Sequence, residues 1–417
     1  MKYKALKDIC EIVNGYAFKS RDFTDAGIPV IKIKNVKPNK IILDGLTYVP
    51  KEIAEKRSDY LIKVNDILLT MTGNRADGSP DSWVGKSAIF KDGGRYLLNQ
   101  RVAIIRPKSD EVDVEYLSYY LSSWVTQLYF IKRANSSGGQ ANISPTIVGE
   151  YEIPIPELGT QKKIAGILSA LDEKIRINDK INENLEQQAQ LLFKAWFIDN
   201  PENRNWKRGT FAELVISTLN GDWGKEAPSG NNIKKVYCVR GADIPDVKAG
   251  NKGKMPIRYI LPKNYANKQL SDGDIVVEIS GGSPTQSTGR CTAITQSLLD
   301  RYDSGMVCTN FCKAIKPLEG YSMFVYYYWQ YLYDRKVFFS YENGTTGIKN
   351  LDFSGFLESE AIIIPPVDKV QKFNDYCRAI FDQVFANGKQ TEQLATLRDT
   401  LLPKLMSSEI DVSTLDV

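Results

Sequence analysis

The feature that most constrains this chain of 417 residues is an internal duplication, because its second half repeats motifs of the first half in the same order. The repeated pairs are DILLTMTG (66–73) with DIVVEISG (274–281), LNQRVAIIRPK (98–108) with CTNFCKAIKP (308–317), and EYEIPIP (150–156) with SEAIIIPP (359–366). A repeat of this length predicts one architecture used twice within the chain.

The hydrophobic periodicity changes from two to about three and a half after each proline-rich segment, which predicts a long helix after each globular module. The seam positions of these helices are Ile164, Leu168, Leu171, Ile175, Asn178, Asn182, Leu185 and Leu192, and then Phe373, Cys377, Ile380, Val384, Asn387, Thr391, Leu394 and Leu401. Two matching seams most simply bury each other. The polar residues at their centres would then fix the register, and the alternative is that they face solvent.

These patterns together predict an α+β chain with an internal pseudo-two-fold, in which two similar modules are separated by two long helices that form an antiparallel coiled coil. The predicted boundaries are a first module at 1–157, a central helix at 158–200, a second module at 201–366, and a C-terminal helix and tail at 367–417. Thr160 and Asp368 are the predicted N-caps of the helices, and Pro201 and Pro403 are predicted to mark their ends.

The composition excludes several classes of site. The chain has no histidine, which removes HExxH sites and histidine-dependent triads, and its six scattered cysteines form no CxxC pair. Cys308 and Cys312 are predicted to be buried, reduced thiols, and no metal site is expected. The N-terminus lacks the apolar core of a signal peptide, and the apolar run at 323–333 is too short to span a bilayer, so we expect a cytoplasmic protein without a membrane partner.

Enzyme motifs fail for physical reasons, so no catalytic residue is predicted. The GKS segment at 85–87 has Pro80 where a phosphate-binding loop needs glycine. The proline pair at 365–366 lacks the preceding side chain that holds the target amine in amino-methyltransferases. A nuclease built on Asp172 and Lys174 would place its charges on the first long helix, where a solvated face is the simpler interpretation. A stand-alone DNA methyltransferase or nuclease stays an alternative.

The loops of the two modules differ although the segments around them repeat. Basic residues outnumber acidic ones by 22 to 18 at 1–155 and by 20 to 17 at 201–365, which permits contact with phosphates. The helices predicted at 114–128 and 324–332 carry aromatic rings that we assign to the core. Polar loop side chains suit base edges and phosphates, and the candidate DNA-binding residues are Asn74, Arg75, Lys86, Gln100, Arg101 and Gln140 in the first module, and Ser283, Gln286, Arg290, Asn310, Thr346 and Lys349 in the second.

The sequence resembles a known family over essentially its whole length. LSALDEKIRINDKINENLEQQAQLLFKAWF (168–197) resembles the central helix of type I restriction-modification specificity subunits, and TLRDTLLPKLMSSEI (396–410) resembles the end of their second helix. The GGQANIS and GTTGIKN loops and the IPIP and IIIPP segments are similar to the two target-recognition domains of that family. The resemblance implies a non-catalytic subunit that reads a bipartite, asymmetric site in double-stranded DNA, one half-site per module.

The resemblance also implies partners. Two methyltransferase subunits are expected to bind the chain, and a restriction subunit is a further expected partner. No cofactor is expected on this chain, whereas S-adenosylmethionine, ATP and magnesium are expected on the partner subunits. A complex that only methylates, and a coiled-coil adaptor with no role on DNA, are the remaining alternatives.

Overall fold

A computed structural model describes residues 2–74, 82–137, 140–283, 285–344 and 348–412, and it shows the α+β class that the sequence predicts. The chain forms two compact units, one made of Met1–Glu173 with Thr396–Val417 and the other of Lys174–Ala395. Each unit contains one globular module and parts of both long helices. The predicted domain limits, which place the helices outside the modules, therefore stay predictions.

The long helices span Leu158–Phe193 and Val367–Met406. They begin before Thr160 and Asp368, so neither residue is the N-cap that the sequence predicted. A π-helical turn at Lys194–Ile198 and a 3-10 helix at Pro201–Asn205 follow the first helix. Pro403 lies inside the second helix, which corrects its prediction as a helix end. The buried neighbours Leu402, Leu405 and Met406 hold that last turn in place.

In the second unit the two long helices pack antiparallel across a layer of buried amides. Asn182 donates to the carbonyl oxygen of Val384 at 3.0 Å and accepts from Asn387 Nδ2 at 2.8 Å. Asn178 donates to Gln390 Oε1 at 2.9 Å. These three asparagines are 1%, 5% and 8% exposed at positions 178, 182 and 387. They therefore lie in the seam and do not face solvent.

In the first unit the ends of the same helices also pack antiparallel. Ile164 and Leu168 form one apolar cluster with Leu402 and Leu405. The next turn carries an ion pair, because Arg398 Nη1 lies 2.6 Å from Asp172 Oδ1. Tyr119 of the first module donates to the other oxygen of that carboxylate at 2.7 Å. Asp172 thus links the first long helix to the second helix and to the first module.

Near one end of the seam in each helix, the buried residue is the one that follows the position predicted by the seven-residue pattern. Leu192 and Leu401 are only partly buried, whereas the following residues, Phe193 and Leu402, are 1% and 7% exposed. A straight α-helix repeats every 3.6 residues, so it advances against a seven-residue pattern. The buried seam positions are Ile164, Leu168, Asn178, Asn182, Phe373, Cys377, Ile380, Val384 and Asn387, and the partly buried ones are Leu171, Ile175, Leu185, Leu192, Thr391, Leu394 and Leu401.

The first module is built on an antiparallel four-stranded sheet in the order Cys10–Asn14, Val102–Pro107, Ile67–Thr70, Ser87–Ile89. Its other strands are Lys2–Ala5, Ile28–Ile31, Val36–Lys37, Lys40–Ile41, Thr47–Val49, Thr72–Gly73, Leu97–Leu98, Asn135–Ser137, Gln140–Asn142 and Glu152–Ile155. Its α-helices are Leu6–Ile9, Lys51–Glu55, Val114–Leu121, Trp124–Arg133 and Pro145–Gly149. The helix predicted at 114–128 is therefore two helices.

The second module repeats this topology around the sheet Val215–Asn220, Cys312–Pro317, Ile275–Glu278, Cys291–Ala293. Its other strands are Lys207–Thr210, Lys234–Val239, Ile257–Ile260, Ser280–Gly281, Met306–Cys308, Glu342–Asn343, Lys349–Leu351 and Ala361–Ile364. Its α-helices are Ile244–Lys248, Pro262–Lys268, Gln296–Leu299, Ser322–Asp334 and Phe353–Ser359. Two three-stranded sheets occur in both modules, whereas the pair Val36–Lys37 and Lys40–Ile41 is described only in the first. Each module closes with the pairing of its first and last strands.

The duplication extends to single glycines. Gly85 and Gly289 have φ angles of +80° and +93°, and a Cβ at either position would meet the ring carbons of Phe130 or Phe338. Glycine is therefore required at both positions. The glycine of the GKS segment thus serves a structural turn.

The cores are apolar, and their cysteines are inert. Five aromatic residues of the helix Ser322–Asp334 are buried in the core, and they are Phe324, Tyr326, Tyr327, Tyr328 and Trp329. The six cysteines are free and buried, and burial raises the pKa of the Cys312 thiol to about 12. Such thiols stay protonated at neutral pH and are poor nucleophiles. Within the described part of the chain, no helix combines the length and the apolar composition needed to cross a bilayer.

The amide layer generates a prediction about stability. Replacing Asn182 by alanine leaves the side chain of Asn387 without its acceptor and should lower the free energy of unfolding by about 2 kcal/mol. Replacing Asn184, which is exposed on the same helix, should change it by less than about 0.5 kcal/mol. Urea denaturation of the two variants measures the difference. Equal losses would show that the amide layer does not stabilise the helix pair.

Candidate nucleic-acid interface

The loops that differ between the modules are attached to a small three-stranded sheet that both modules contain. In the first module this sheet joins Thr72–Gly73 to the hairpin Asn135–Ser137 and Gln140–Asn142. In the second module Ser280–Gly281 joins the hairpin Glu342–Asn343 and Lys349–Leu351. The variable loops therefore extend from equivalent strands, and we call this pair of equivalent surfaces the loop sheets.

A polar cluster lies on the loop sheet of the first module. Thr72 Oγ1 donates to Asn142 Oδ1 at 2.7 Å. Arg101 Nη1 donates to both of these oxygens, at 3.1 Å and 3.2 Å. Arg101 is exposed, as are its neighbour Gln100 and the strand residue Gln140. The structure therefore brings three of the predicted residues to one exposed surface.

The corresponding surface of the second module has the same polar base but a different exposed side chain. Ser280 Oγ donates to Asn350 Oδ1 at 2.5 Å, in the place of the Thr72 pair. The predicted residue Asn310 is exposed, and beside it Phe311 is 58% exposed. Both line a cavity of about 410 Å³ that Trp223 also lines. An aromatic side chain here is suited to apolar contact or to stacking on a base.

Lys86 and Arg290, two of the predicted DNA-binding residues, occupy equivalent positions of the two modules. Their backbones bond to equivalent strands. The carbonyl of Lys86 accepts from the Thr70 amide at 2.8 Å, and that of Arg290 accepts from the Glu278 amide at 2.8 Å. Lys86 is 3% exposed, which counts against a direct contact with DNA. Arg290 binds the Glu278 carboxylate through two hydrogen bonds of 2.8 Å and 2.7 Å. These bonds raise the pKa of its guanidinium.

The remaining predicted residues are also accounted for. Asn74 is exposed and donates to Ser82 Oγ at 3.1 Å. Lys349 Nζ lies 2.7 Å from a carboxylate oxygen of Glu342. Ser283 Oγ accepts from the amide of Gln286 at 3.0 Å, so this pair shapes its own turn. Arg75 and Thr346 lie outside the described residues.

Sequence reasoning missed the aromatic residues of this surface. Phe311 and Trp223 were not among the candidates, because the candidates were chosen only for polar hydrogen-bonding groups. The alignment of the repeats contained a signal, since Phe311 precedes the strand Cys312–Pro317 as Arg101 precedes Val102–Pro107. Among the residues that the structure describes, no group of three or more acidic or cysteine side chains is placed to hold a metal ion.

Comparison with known proteins gives consistent results. The family described as "Type I restriction modification DNA specificity domain" matches residues 1–187. The type I restriction enzyme MjaIX specificity subunit of Methanocaldococcus jannaschii is 28% identical, covering 99% of this chain and 94% of that protein. The HindI specificity subunit of Haemophilus influenzae is 26% identical, covering 77% and 83%. The crystal structure of an S subunit from M. genitalium has a similar fold, with a TM-score of 0.53, 15% identity, and coverage of 97% and 95%.

The Arg290–Glu278 pair generates a second prediction. Replacing Arg290 by alanine leaves a carboxylate whose side chain is only 8% exposed without its cation, and the unfolding free energy should fall by roughly 2 to 3 kcal/mol. Replacing the exposed Arg335, which contacts the ring of Tyr331, should cost at most about 0.5 kcal/mol. Thermal melting of both variants tests this.

A double variant, Arg290→Met with Glu278→Leu, separates stability from DNA reading. If Arg290 is structural, this variant should recover both the melting temperature and the DNA affinity. Recovery of the melting temperature without recovery of DNA affinity would assign Arg290 a direct contact with DNA.

Proposed function

We infer that the chain is a type I restriction-modification specificity subunit and that each of its modules reads one half of a bipartite, asymmetric DNA site. The observation that carries this inference is the repeated frame with unlike loop sheets. Equivalent positions, each immediately before a strand of the four-stranded sheet, carry Arg101 in one module and Phe311 in the other. One fold therefore carries two different reading surfaces, as an asymmetric site requires.

Both loop sheets have chemistry that suits the edges of bases. Exposed amide, guanidinium and aromatic side chains can bind guanine or adenine acceptors and the thymine methyl group. The surrounding modules carry a small basic excess, which supports the contacts with phosphate that position a protein on the duplex.

The partner subunits form the second part of the proposal. Two copies of a methyltransferase subunit would bind this chain, and a restriction subunit would join that complex. Support comes from two equivalent grooves, one of about 610 Å³ lined by Trp124 and Leu402 and one of about 330 Å³ lined by Tyr331 and Phe193. Leu402 and Phe193 are equivalent positions of the two long helices. A groove that occurs once per repeat suits a partner that binds once per repeat.

The chain itself would take no catalytic part. The methylated base would be flipped into the pocket of the partner, and S-adenosylmethionine, ATP and magnesium would be bound by the partner subunits. The work of this chain would then be to position the partners on the DNA sequence.

Module exchange tests the proposal. The chain is co-expressed with its methyltransferase partner, and the modified sites are mapped by methylome sequencing. Replacing residues 1–157 by the corresponding module of a relative should change one half-site and leave the other half-site and the spacer unchanged. A change in both half-sites would contradict the assignment of one module to each half-site.

Salt dependence provides the second measurement. The assembled complex should lose DNA affinity steeply between about 50 mM and 200 mM salt, because phosphate contacts release counterions. A complex that assembles but neither binds nor methylates DNA at low salt would favour an adaptor without a role on DNA.

A further inference from the structure

One position of the repeated frame carries side chains of opposite chemistry in the two modules. The carbonyl of Arg101 accepts from the amide of Met71 at 2.8 Å, and the carbonyl of Phe311 accepts from the amide of Ile279 at 2.9 Å. Each residue immediately precedes the second strand of its four-stranded sheet. The backbone thus makes the same hydrogen bond at both positions, and the side chains differ.

The surroundings of this shared position are also alike. Thr72 and Asn142 face each other across two paired strands in the first module, as Ser280 and Asn350 do in the second. In both modules a hydroxyl donates to the asparagine side-chain oxygen. The two sites thus offer the same small polar base, and only the residue above it changes.

Arg101 is held in a position suited to hydrogen bonding. One terminal nitrogen of its guanidinium is fixed by the threonine and the asparagine, which reduces the entropy lost when the group binds a ligand. The side chain is exposed. A guanidinium presented in this way matches the O6 and N7 acceptors of guanine, which are the commonest specific target of arginine in DNA.

Phe311 calls for the opposite kind of ligand. Its ring is 58% exposed, and it lines a cavity together with Trp223 and the polar residues Arg240 and Asn310. An apolar protein surface would have to cover this polar surround at a cost in desolvation. A base edge presents one apolar group among polar atoms, and in the major groove that group is the 5-methyl of thymine.

We propose that Arg101 and Phe311 occupy one specificity-determining position, at which Arg101 reads a guanine in the first half-site and Phe311 reads the methyl group of a thymine in the second. This inference rests on the proposed function. It adds the residue in each module that reads a base and the class of base that it reads.

The test uses the assembled complex and duplexes that contain the site found by methylome sequencing. Each thymine is replaced in turn by deoxyuridine, which lacks only the methyl group, and each guanine by 7-deaza-deoxyguanosine, which lacks the N7 acceptor. For the unmodified complex, one deoxyuridine in the second half-site should weaken binding by roughly 4-fold. One 7-deazaguanine in the first half-site should weaken binding by roughly 5-fold or more.

The variants assign these effects to residues. Phe311→Ala should bind the thymine and deoxyuridine duplexes equally and keep its guanine sensitivity, whereas Arg101→Ala should lose the guanine sensitivity alone. Phe311→Leu, which keeps an apolar side chain, should retain part of the preference for thymine. Because both side chains are exposed, the melting temperatures should stay within about 2 °C of the parent.

The outcomes are distinct. A parent complex that binds and methylates its site, with Phe311→Ala and Arg101→Ala showing unchanged sensitivity at every base, would overturn the inference and leave the proposed function intact. A half-site without the expected thymine or guanine would overturn it as well. A parent complex that does not bind DNA would contradict the proposed function itself.

Discussion

The hydrogen bond between the buried side chains of Asn182 and Asn387 fixes the relation of the two long helices within the second unit. An apolar heptad seam alone permits a shift by one repeat, because leucine and isoleucine pack about equally well against their neighbours in either register. Buried amides do not permit that shift, since a displaced amide would lose its partner in an apolar seam. The same side chain of Asn182 also donates to the carbonyl of Ala249 at 3.1 Å. One amide thus ties a loop of the second module to both helices.

The internal repeat explains why polar residues stand at this place. A shift of 209 residues relates Asn178 to Asn387, and the same shift relates Asn182 to Thr391. The contact between Asn182 and Asn387 therefore has a counterpart between Asn178 and Thr391, whose side-chain atoms are 3.4 Å apart. When a repeated helix sequence packs against its own copy in an antiparallel pair, the central residues of one copy contact the equivalent central residues of the other. Polar side chains at the centre of each helix therefore find hydrogen-bond partners at the centre of the other helix. They specify one register of the helix pair at a cost in stability.

The sequence was sufficient for the α+β class, the duplicated topology and the long helices, because these follow from periodicity and from repeated motifs. It was insufficient for the burial of single side chains and for helix ends, because these depend on packing in three dimensions. Lys86 belongs to a polar loop in the sequence, yet the repeated strand pairing buries it. Pro403 breaks helices in isolation, yet packing of Leu402 and Leu405 carries the helix past it. Phe311 was missed because a search for polar groups cannot find an apolar reader.

Lys86 is buried and Arg290 is partly buried in an ion pair, whereas Arg101 and Phe311 are exposed, and this difference separates two tasks within each module. The first pair occupies one repeated position where the backbone bonds to the neighbouring strand and the side chain is either buried, as in Lys86, or ion-paired, as in Arg290. The second pair occupies a position where the backbone makes the same hydrogen bond in both modules and the side chain is exposed, so the side chain can change without a change in the fold.

A reading position that varies freely has a physical consequence for recognition. Each base contact contributes only about 1 to 3 kcal/mol of discrimination, which is too little for one small surface to select its site among many competing sequences. Two surfaces on one chain make binding of the second half-site intramolecular, so their discriminations combine. The chain thus places variation on exposed side chains of the reading surfaces, whereas within the second unit the buried amides accept only one alignment of the helices.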